Sequence, residues 1–338
     1  MKKIKIAIID TGIDVYDSNL KKFFRYNDDF QIMDKNFPLD IYDLQGHGTL
    51  CAKTIIEICQ NVEIYPIKIF DEDGRTNSLN LVKALKNLIN ADIDLINISA
   101  STLSSIYKEE LKHICDKLHK NGKIIICSHH NKAKGIESYP TSFKSVISVK
   151  GKRGICRDED YIYKKNEDIQ MYTNSKERFF EFNNKVTHFG KNSRAAAITT
   201  GIIADVYTRF GKLKFEDLES VLIEESKIRT LYKSYRFLYK KDYKYNINKQ
   251  KIAEKIIDLI NRNFSNNHVN LEFIEKHSIF NNFTKIGVHN AYDFLSKINN
   301  EFLIRLDCRH IFLYELDNLY LLVNMIDSAI SKKDDIYI

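Results

Sequence analysis

The first half of the chain alternates between two patterns of apolar residues. Stretches with apolar residues three and four positions apart predict helices, such as LNLVKALKNLI from Leu79 and IYKEELKHICDKLHKNG from Ile106. Other runs are apolar at nearly every position, which is typical of parallel strands covered on both faces: IKIAII near the start, VEIYPIKI from Val62, DLINIS from Asp94, KIIICS from Lys123 and SVISVK from Ser145. The alternation predicts an α/β fold, a doubly wound parallel sheet with helices on both faces.

The second half of the chain is less regular. Residues 152–190 contain short β-like pieces, YIYKK and RFFEF, whose order in a sheet cannot be derived from the pattern. A long helix is predicted from Ser193 to about Phe210. Three later helical patterns, at roughly 248–264, 290–302 and 315–331, predict a small helical bundle. We therefore predict a first domain over residues 1–228, a linker over 229–247 and a helical domain over 248–338.

The predicted linker is basic and aromatic. The stretch YKSYRFLYKKDYKYNINK from Tyr232 to Lys249 interleaves tyrosines with six Lys or Arg residues against one Asp. A solvated linker is the favoured interpretation of such a charge run, and a binding patch is the alternative.

Composition narrows the classes of partner. The 338 residues are 43% hydrophobic, which suits a packed globular protein. The net charge is +7, but the basic residues are spread beside 45 acidic ones, so we predict no nucleic-acid partner. Because no apolar run approaches the roughly 18 to 20 residues that span a bilayer, we also predict no membrane partner.

The cysteines and the start of the chain predict a cytoplasmic protein. The start, MKKIKIAIIDTG, reads as a first strand, because its apolar stretch is shorter than that of a secretory signal. The cysteines form no CxxC pair and several lie in apolar patterns, which favours buried thiols in a reducing compartment. They are Cys51, Cys59, Cys115, Cys127, Cys156 and Cys308.

Four polar residues lie where the predicted fold would place chemistry. Asp10 ends the first strand, at the carboxyl edge where parallel sheets bind ligands. His47 lies between two glycines at the start of a helix, Asn131 follows the strand KIIICS, and Ser193 begins an Ala-rich helix. Amide hydrolysis needs a nucleophile, a base, a group that orients the base and an oxyanion donor. Ser193, His47, Asp10 and Asn131 would fill those four roles respectively.

Each of these residues alone has a simpler interpretation. An Asp after a strand is often a turn residue, a His between glycines can be structural, and a Ser before a helix is more often an N-cap. The joint order Asp, His, Asn, Ser is more specific, because it matches subtilisin and differs from chymotrypsin and the α/β-hydrolases.

Residues 3 to about 210 resemble the subtilase family of serine peptidases. IIDTGID resembles the family's Asp motif, GHGTLCA its His motif and NSRAAAITTGIIA its Ser motif and helix. VEIYPIKIFDEDG with DLINIS resembles the substrate-binding edge, and SYPTSFKSVISV resembles the stretch after the oxyanion Asn. The resemblance implies a subtilisin-like fold and a catalytic triad of Asp10, His47 and Ser193, with Asn131 in the oxyanion hole.

The chain departs from the family at three places. Lys191 and Asn192 stand where the family usually has Gly-Thr before the nucleophile. The small-residue floor before the oxyanion Asn is replaced by Ser128, His129 and His130, and the substrate edge ends differently. These changes predict narrow substrate specificity. They also leave open the alternative that the protein is a degenerate subtilase that does not cleave peptides. The predicted substrate-binding residues are Ser99, Ala100, Ser101, His129 and His130.

The segment from about 248 to 332 resembles an acyl or peptidyl carrier protein. In such carriers a Ser at the start of the second helix takes phosphopantetheine, whereas here Asn290 stands at that place, after Gly287-Val288-His289. An amide offers no hydroxyl for that modification. The likeness implies a carrier-like module that docks a partner, and a generic three-helix bundle is an equally good interpretation.

The combined prediction is a cytoplasmic serine endopeptidase that matures a peptide or protein precursor. It needs no cofactor or metal, because His129 and His130 lack a third ligand nearby and no EF-hand loop is present. No propeptide is expected ahead of the first strand. The alternative is a degenerate subtilase that binds peptide and docks a partner. An esterase or acyl transferase using the same triad also stays open.

Overall fold

A computed structural model of the chain describes residues 2–31, 41–130, 136–152, 154–226 and 245–334. The chain divides into two compact units. The N-terminal unit comprises Met1–Ser175 and Gly190–Leu231, and the C-terminal unit comprises Lys176–Phe189 and Tyr232–Ile338. The short segment 176–189 therefore belongs with the C-terminal residues, although the sequence prediction placed it in the first domain.

The N-terminal unit is built on a sheet that has seven strands within the described residues. Their order across the sheet is β2-β1-β3-β4-β5-β7-β6, and only the β6–β7 pair is antiparallel. The strands are β1 (Ile4–Asp10), β2 (Val62–Lys68), β3 (Leu95–Ile98), β4 (Ile124–Ser128), β5 (Val146–Gly151), β6 (Ile162–Tyr163) and β7 (Met171–Thr173).

The sheet places two adjacent strand ends at one crevice. The chain passes from β1 to β2 on one side, then crosses to β3 on the other side of β1. Ligands of such sheets bind at the carboxyl ends of the strands where the order reverses. Asp10 ends β1 and Ser99 directly follows β3, so both lie at this crevice.

Helices cover both faces of the sheet. Apolar residues of α2 (Ser78–Asn87) and α3 (Lys108–Lys120) share one core with side chains of β1, β2, β3 and β4. On the other face, α1 (His47–Ile58) packs against α4 (Lys191–Phe210). These two helices approach closely at Gly201, where an added Cβ would lie 2.8 Å from Ile58 Cβ. The last described helix of this unit is α5 (Phe215–Glu224).

The C-terminal unit has its own apolar core. A hairpin of β8 (Arg178–Phe182) and β9 (Lys185–Phe189) contributes Phe179 to that core. Most of the other buried side chains of this core come from helices α6 (Ile247–Asn263), α7 (Leu271–Lys276), α8 (Ala291–Phe302), α9 (Leu313–Asp317) and α10 (Leu319–Asp334). The three predicted helices of this region correspond to α6, α8 and α10, and α7 and α9 were not predicted.

The predicted fold class is confirmed, since the sheet is parallel at its centre and carries helices on both faces. Gly122 ends α3 as expected, because its φ of +75° is a left-handed conformation that favours glycine. The predicted linker lies mostly outside the described residues, so the domain boundaries stay a prediction. Among the described residues, no helix is both long and apolar enough to cross a membrane.

Candidate active site

Asp10 and His47 form a direct pair at the carboxyl edge of the sheet. His47 Nδ1 lies 2.8 Å from Asp10 Oδ1. The Asp10 carboxylate is buried, and the His47 side chain is 38% exposed. The Thr11 backbone N–H donates to the same Asp10 oxygen at 2.8 Å. The buried carboxylate therefore holds the imidazole through Nδ1.

Glycines let the start of α1 approach β1. Gly46 caps the helix with a φ of +88°, which disfavours other residues. An added Cβ at Gly48 would lie 2.2 Å from the Gly12 carbonyl oxygen, so only glycine fits there. The Gly48 N–H donates to Thr11 Oγ1 at 2.9 Å. These contacts bring His47 to within bonding distance of Asp10.

Asp43 fixes the turn that leads into α1. One of its carboxylate oxygens accepts the N–H of Gly46 at 2.7 Å. The other accepts the N–H and the hydroxyl of Thr49 at 2.9 and 2.6 Å. Asp43 is fully buried, so these bonds replace its lost hydration. Asp43 is not among the predicted site residues, although an Asp before a Gly-rich helix start is a capping signal.

Cys51, which is buried, and Ser99, which is half-buried, lie next to the pair. Cys51 Sγ lies 3.7 Å from Asp10 Oδ2 and 3.2 Å from Ser99 Oγ, and Ser99 helps to lower the pKa of Asp10. From the sequence, Cys51 is predicted only as a buried thiol and Ser99 as a substrate-binding residue. Cys51 lies four residues after His47 in one helix, a spacing that puts both on the same face and signals the contact.

The contact between Asp10 and His47 shifts the pKa of both residues. Burial alone would raise the pKa of Asp10, but the charge and hydrogen bond of His47 outweigh burial and lower that pKa below its usual value. Burial alone would lower the pKa of His47, but the Asp10 carboxylate dominates and raises it well above the usual 6.5. Burial and the Asp10 charge raise the pKa of Cys51, which keeps it a neutral thiol able to donate. Asp10 is therefore an ionised carboxylate that stabilises the protonated form of His47, and Cys51 is a neutral thiol.

Ser193 lies in the first turn of α4, where it is half-buried. The helix packs against α1, whose first residue is His47, and against the sheet. Lys191 occupies the usual glycine position of the family in a left-handed conformation, with φ +60°. Its N–H donates to the Ser175 carbonyl at 2.8 Å. The turn before Ser193 therefore forms with a lysine in place of glycine.

The remaining predicted site residues follow strands β3 and β4. Ala100 and Ser101 are half-buried after β3, as are His129 and His130 after β4. Their substrate-binding role stays a prediction. Asn131 lies outside the described residues, so its role as oxyanion donor stays a prediction as well.

One cluster has the chemistry to hold a metal ion. A ligand atom from each of Asp10, His47 and Cys51 lies within 4.8 Å of the others. Carboxylate, imidazole and thiolate are zinc ligands in proteins. The same atoms here hydrogen-bond one another, and Cys51 would have to lose its proton to coordinate. The prediction that no cofactor is needed stays a prediction.

A parallel α/β sheet with a buried Asp–His pair at its carboxyl edge and a Ser at the start of a packed helix defines a class, the serine-type peptidases. The sequence model of the subtilase family, peptidase S8, matches residues 1–251 of this chain. The chain belongs to the subtilase family, peptidase S8, and is a serine-type peptidase.

Known proteins with a similar sequence or fold include bacterial proteases. The chain is 26% identical over 221 residues to the major intracellular serine protease of Bacillus subtilis (strain 168), covering 60% of this chain and 68% of that protein. The epidermin leader peptide processing serine protease of Staphylococcus aureus has a similar fold, with a TM-score of 0.54, 16% identity and coverage of 66% and 69%. A lanthipeptide protease gives a TM-score of 0.51, 20% identity and coverage of 65% and 78%.

Proposed function

We propose that this subtilase is a narrow-specificity endopeptidase that uses Asp10, His47 and Ser193 as its triad and acts on a peptide or protein precursor inside the cell. The observation that carries the proposal is the 2.8 Å bond between buried Asp10 and His47 at the carboxyl edge of the sheet. In an Asp-His-Ser triad such a buried, ionised Asp holds the imidazole in one tautomer and stabilises its charged form, whereas a structural histidine has no need of it.

The proposed mechanism assigns one role to each of these groups. Ser193 Oγ attacks the scissile carbonyl while His47 Nε2 takes the hydroxyl proton. His47 then gives that proton to the leaving amine, and the C–N bond breaks to leave an acyl-enzyme. Water, activated by His47, hydrolyses the ester and restores Ser193. Asp10 stays ionised throughout and holds the imidazole in one tautomer.

The oxyanion would be stabilised by the Ser193 backbone N–H and the Asn131 side chain. Loss of one such donor typically costs about 2.7–4 kcal/mol of transition-state stabilisation. The start of a helix also favours developing negative charge, and Ser193 lies in the first turn of α4.

Narrow specificity is supported by the residues that line the predicted substrate cleft. His129 and His130 stand where the family has small residues, which leaves less room for a substrate side chain. A maturation role is supported by the fold shared with a leader peptide processing protease and a lanthipeptide protease. An intracellular site is supported by the named intracellular relative.

Hydrolysis of defined peptides tests this proposal. The protein is incubated with unfolded casein and with a panel of leader-bearing precursor peptides, and products are identified by mass spectrometry. We expect cleavage at one or a few bonds in a precursor, little digestion of casein, and no cleavage by Ser193→Ala. General digestion of casein would contradict narrow specificity.

A degenerate, peptide-binding subtilase is the alternative, and the substitutions before Ser193 are its support. The left-handed conformation of Lys191 weighs against it, because the lysine adopts a backbone conformation that the family's usual glycine favours. Labelling by a fluorophosphonate probe separates the two, since only an activated serine reacts.

We also propose that the C-terminal unit docks a partner without carrying phosphopantetheine. The Asn290 side chain accepts the N–H of Gly287 at 2.8 Å and donates to the Lys285 carbonyl at 3.0 Å, which supports a structural capping role. Incubation with coenzyme A and a phosphopantetheinyl transferase should leave the mass unchanged. An Asn290→Ser variant that gains mass would support the carrier likeness, and one that does not would favour a plain helical bundle.

A further inference from the structure

The turn before Ser193 is backbone-strained. Lys191 adopts φ +60°, which costs a non-glycine residue about 1–2 kcal/mol. Gly190, the N-cap of α4, offers no side chain to bond the first helical N–H groups. A strained turn persists only where surrounding contacts hold it. The residue between Lys191 and Ser193 supplies such contacts.

Asn192 bridges the helix to two central strands. Its Oδ1 accepts the N–H of Gly151, the last residue of β5, at 3.0 Å. Its Nδ2 donates to the carbonyl of His129, just after β4, at 2.8 Å. The His129 N–H donates in turn to the Val149 carbonyl of β5 at 2.8 Å. One amide side chain therefore joins the start of α4 to the two strand ends.

We propose that Asn192 is a positioning residue that fixes the direction of the Ser193 hydroxyl. The proposal rests on the proposed role of Ser193 as nucleophile. Both partners of Asn192 are backbone groups at the ends of strands in the central sheet. Because Asn192 directly precedes Ser193, the two hydrogen bonds of the Asn192 side chain limit rotation of the first turn of α4. Misplacement of a reacting group by about 1 Å can cost roughly 10²-fold in rate.

Arg194, on the other side of Ser193, makes an independent anchor. Its guanidinium is buried and ion-paired to Asp158, which also accepts a hydrogen bond from Asn174 at 2.8 Å. This anchor keeps α4 attached to the unit when Asn192 is replaced. Loss of the Asn192 bonds should therefore alter the orientation of Ser193 without unfolding the helix.

The test uses the full-length protein and the rate of fluorophosphonate labelling. Asn192→Leu keeps nearly the same shape but removes both bonds without adding charge. The matched control is Asn261→Leu in the C-terminal unit, because the Asn261 side chain makes the same two bonds to the backbone of Val269, at 2.8 and 2.9 Å. The maximal labelling rate, the half-saturating probe concentration and the melting temperature are measured for each.

We expect Asn192→Leu to lower the maximal labelling rate at least tenfold with the half-saturating concentration within twofold of wild type. Asn261→Leu should leave both constants within twofold, whatever its melting temperature. Asn192→Ser is measured as a second variant, because the shorter serine side chain reaches at most one of the two partners. This variant should also be labelled more slowly than the wild type.

Labelling of Asn192→Leu or Asn192→Ser at the wild-type rate would overturn the positioning role. An equal loss in Asn261→Leu would overturn it too, since the effect would then be general destabilisation. A wild-type protein with no Ser193-dependent label would instead overturn the proposed nucleophile, and this role with it.

Discussion

His47 must be neutral before it can accept a proton from Ser193, so its pKa sets the acid side of the pH dependence of activity. Burial lowers that pKa, but the Asp10 carboxylate raises it well above 6.5. We therefore expect activity to rise with pH through a midpoint above the usual histidine value. The midpoint is measured from the labelling rate between pH 4 and pH 10.

Replacement of Asp10 tests the cause of this shift. In Asp10→Asn the charge is gone and burial dominates, so the acid midpoint should move to lower pH. The rate itself should fall by about 10⁴-fold, because the amide no longer holds the required tautomer. An unchanged midpoint in Asp10→Asn would contradict the assignment of the acid limb to His47.

The left-handed backbone conformation of Lys191 indicates that glycine at this position would stabilise the folded protein. Lys191→Gly relieves about 1–2 kcal/mol of backbone strain and adds about 0.5–1 kcal/mol of chain entropy cost. We expect a net gain of roughly 0.5–1 kcal/mol in the free energy of unfolding, measured by urea denaturation. The control is Lys117→Gly, at an exposed position within α3. It should lower the free energy of unfolding by about 1 kcal/mol. A loss at both sites would show that Lys191 is not strained.

At the scale of elements, the close contact between α1 and β1 predicts that Gly48 tolerates no side chain. In Gly48→Ala the new methyl group would meet the Gly12 carbonyl at 2.2 Å and push His47 away from Asp10. We expect a loss of about 1–3 kcal/mol in stability and roughly 10²-fold in labelling rate.

Gly122→Ala is the control for this element-scale prediction. Gly122, unlike Gly48, has a positive φ, and no atom lies within 4 Å of a Cβ added to Gly122. It should lose about 1–2 kcal/mol of stability and keep the wild-type labelling rate. An active, stable Gly48→Ala variant would contradict the packing of α1 on β1.

The elements that were predicted well are those with strong local patterns. The five apolar runs correspond to β1–β5, and the helix at Ser193 begins at Lys191. The sheet order and the hairpin could not be derived, because strand pairing between distant segments leaves little trace in local periodicity. The short helices α7 and α9 lack enough residues to show a period.

The site was predictable only in part for a related reason. Asp10 and His47 could be named from motifs, and their contact followed from the fold. Asn192 matters through contacts with residues 41 and 63 positions away, which no local pattern encodes. The influence of Ser99 on the pKa of Asp10 was not predicted, and its substrate-binding role stays a prediction.

At the scale of the whole molecule, the β8–β9 hairpin determines where the chain can be cut into two fragments that fold. Phe179 of β8 belongs to the core of the C-terminal unit. A fragment of residues 1–226 would leave that phenylalanine without its core, so it should aggregate. Replacement of residues 176–189 by a short Gly-Ser linker should restore solubility, since Ser175 and Lys191 are hydrogen-bonded at 2.8 Å.

Size-exclusion chromatography of the two fragments measures this difference. A monomeric 1–226 fragment with the hairpin intact would contradict the assignment of the hairpin to the C-terminal unit. It would instead favour the boundary near residue 228 that the sequence predicts.

The central claim is that Ser193 is a nucleophile activated by His47, and fluorophosphonate labelling read by intact mass tests it most directly. The wild-type protein should gain one adduct that maps to Ser193, and Ser193→Ala and His47→Ala should gain none. A folded wild-type protein that stays unlabelled, or an adduct that persists in Ser193→Ala, would contradict the claim.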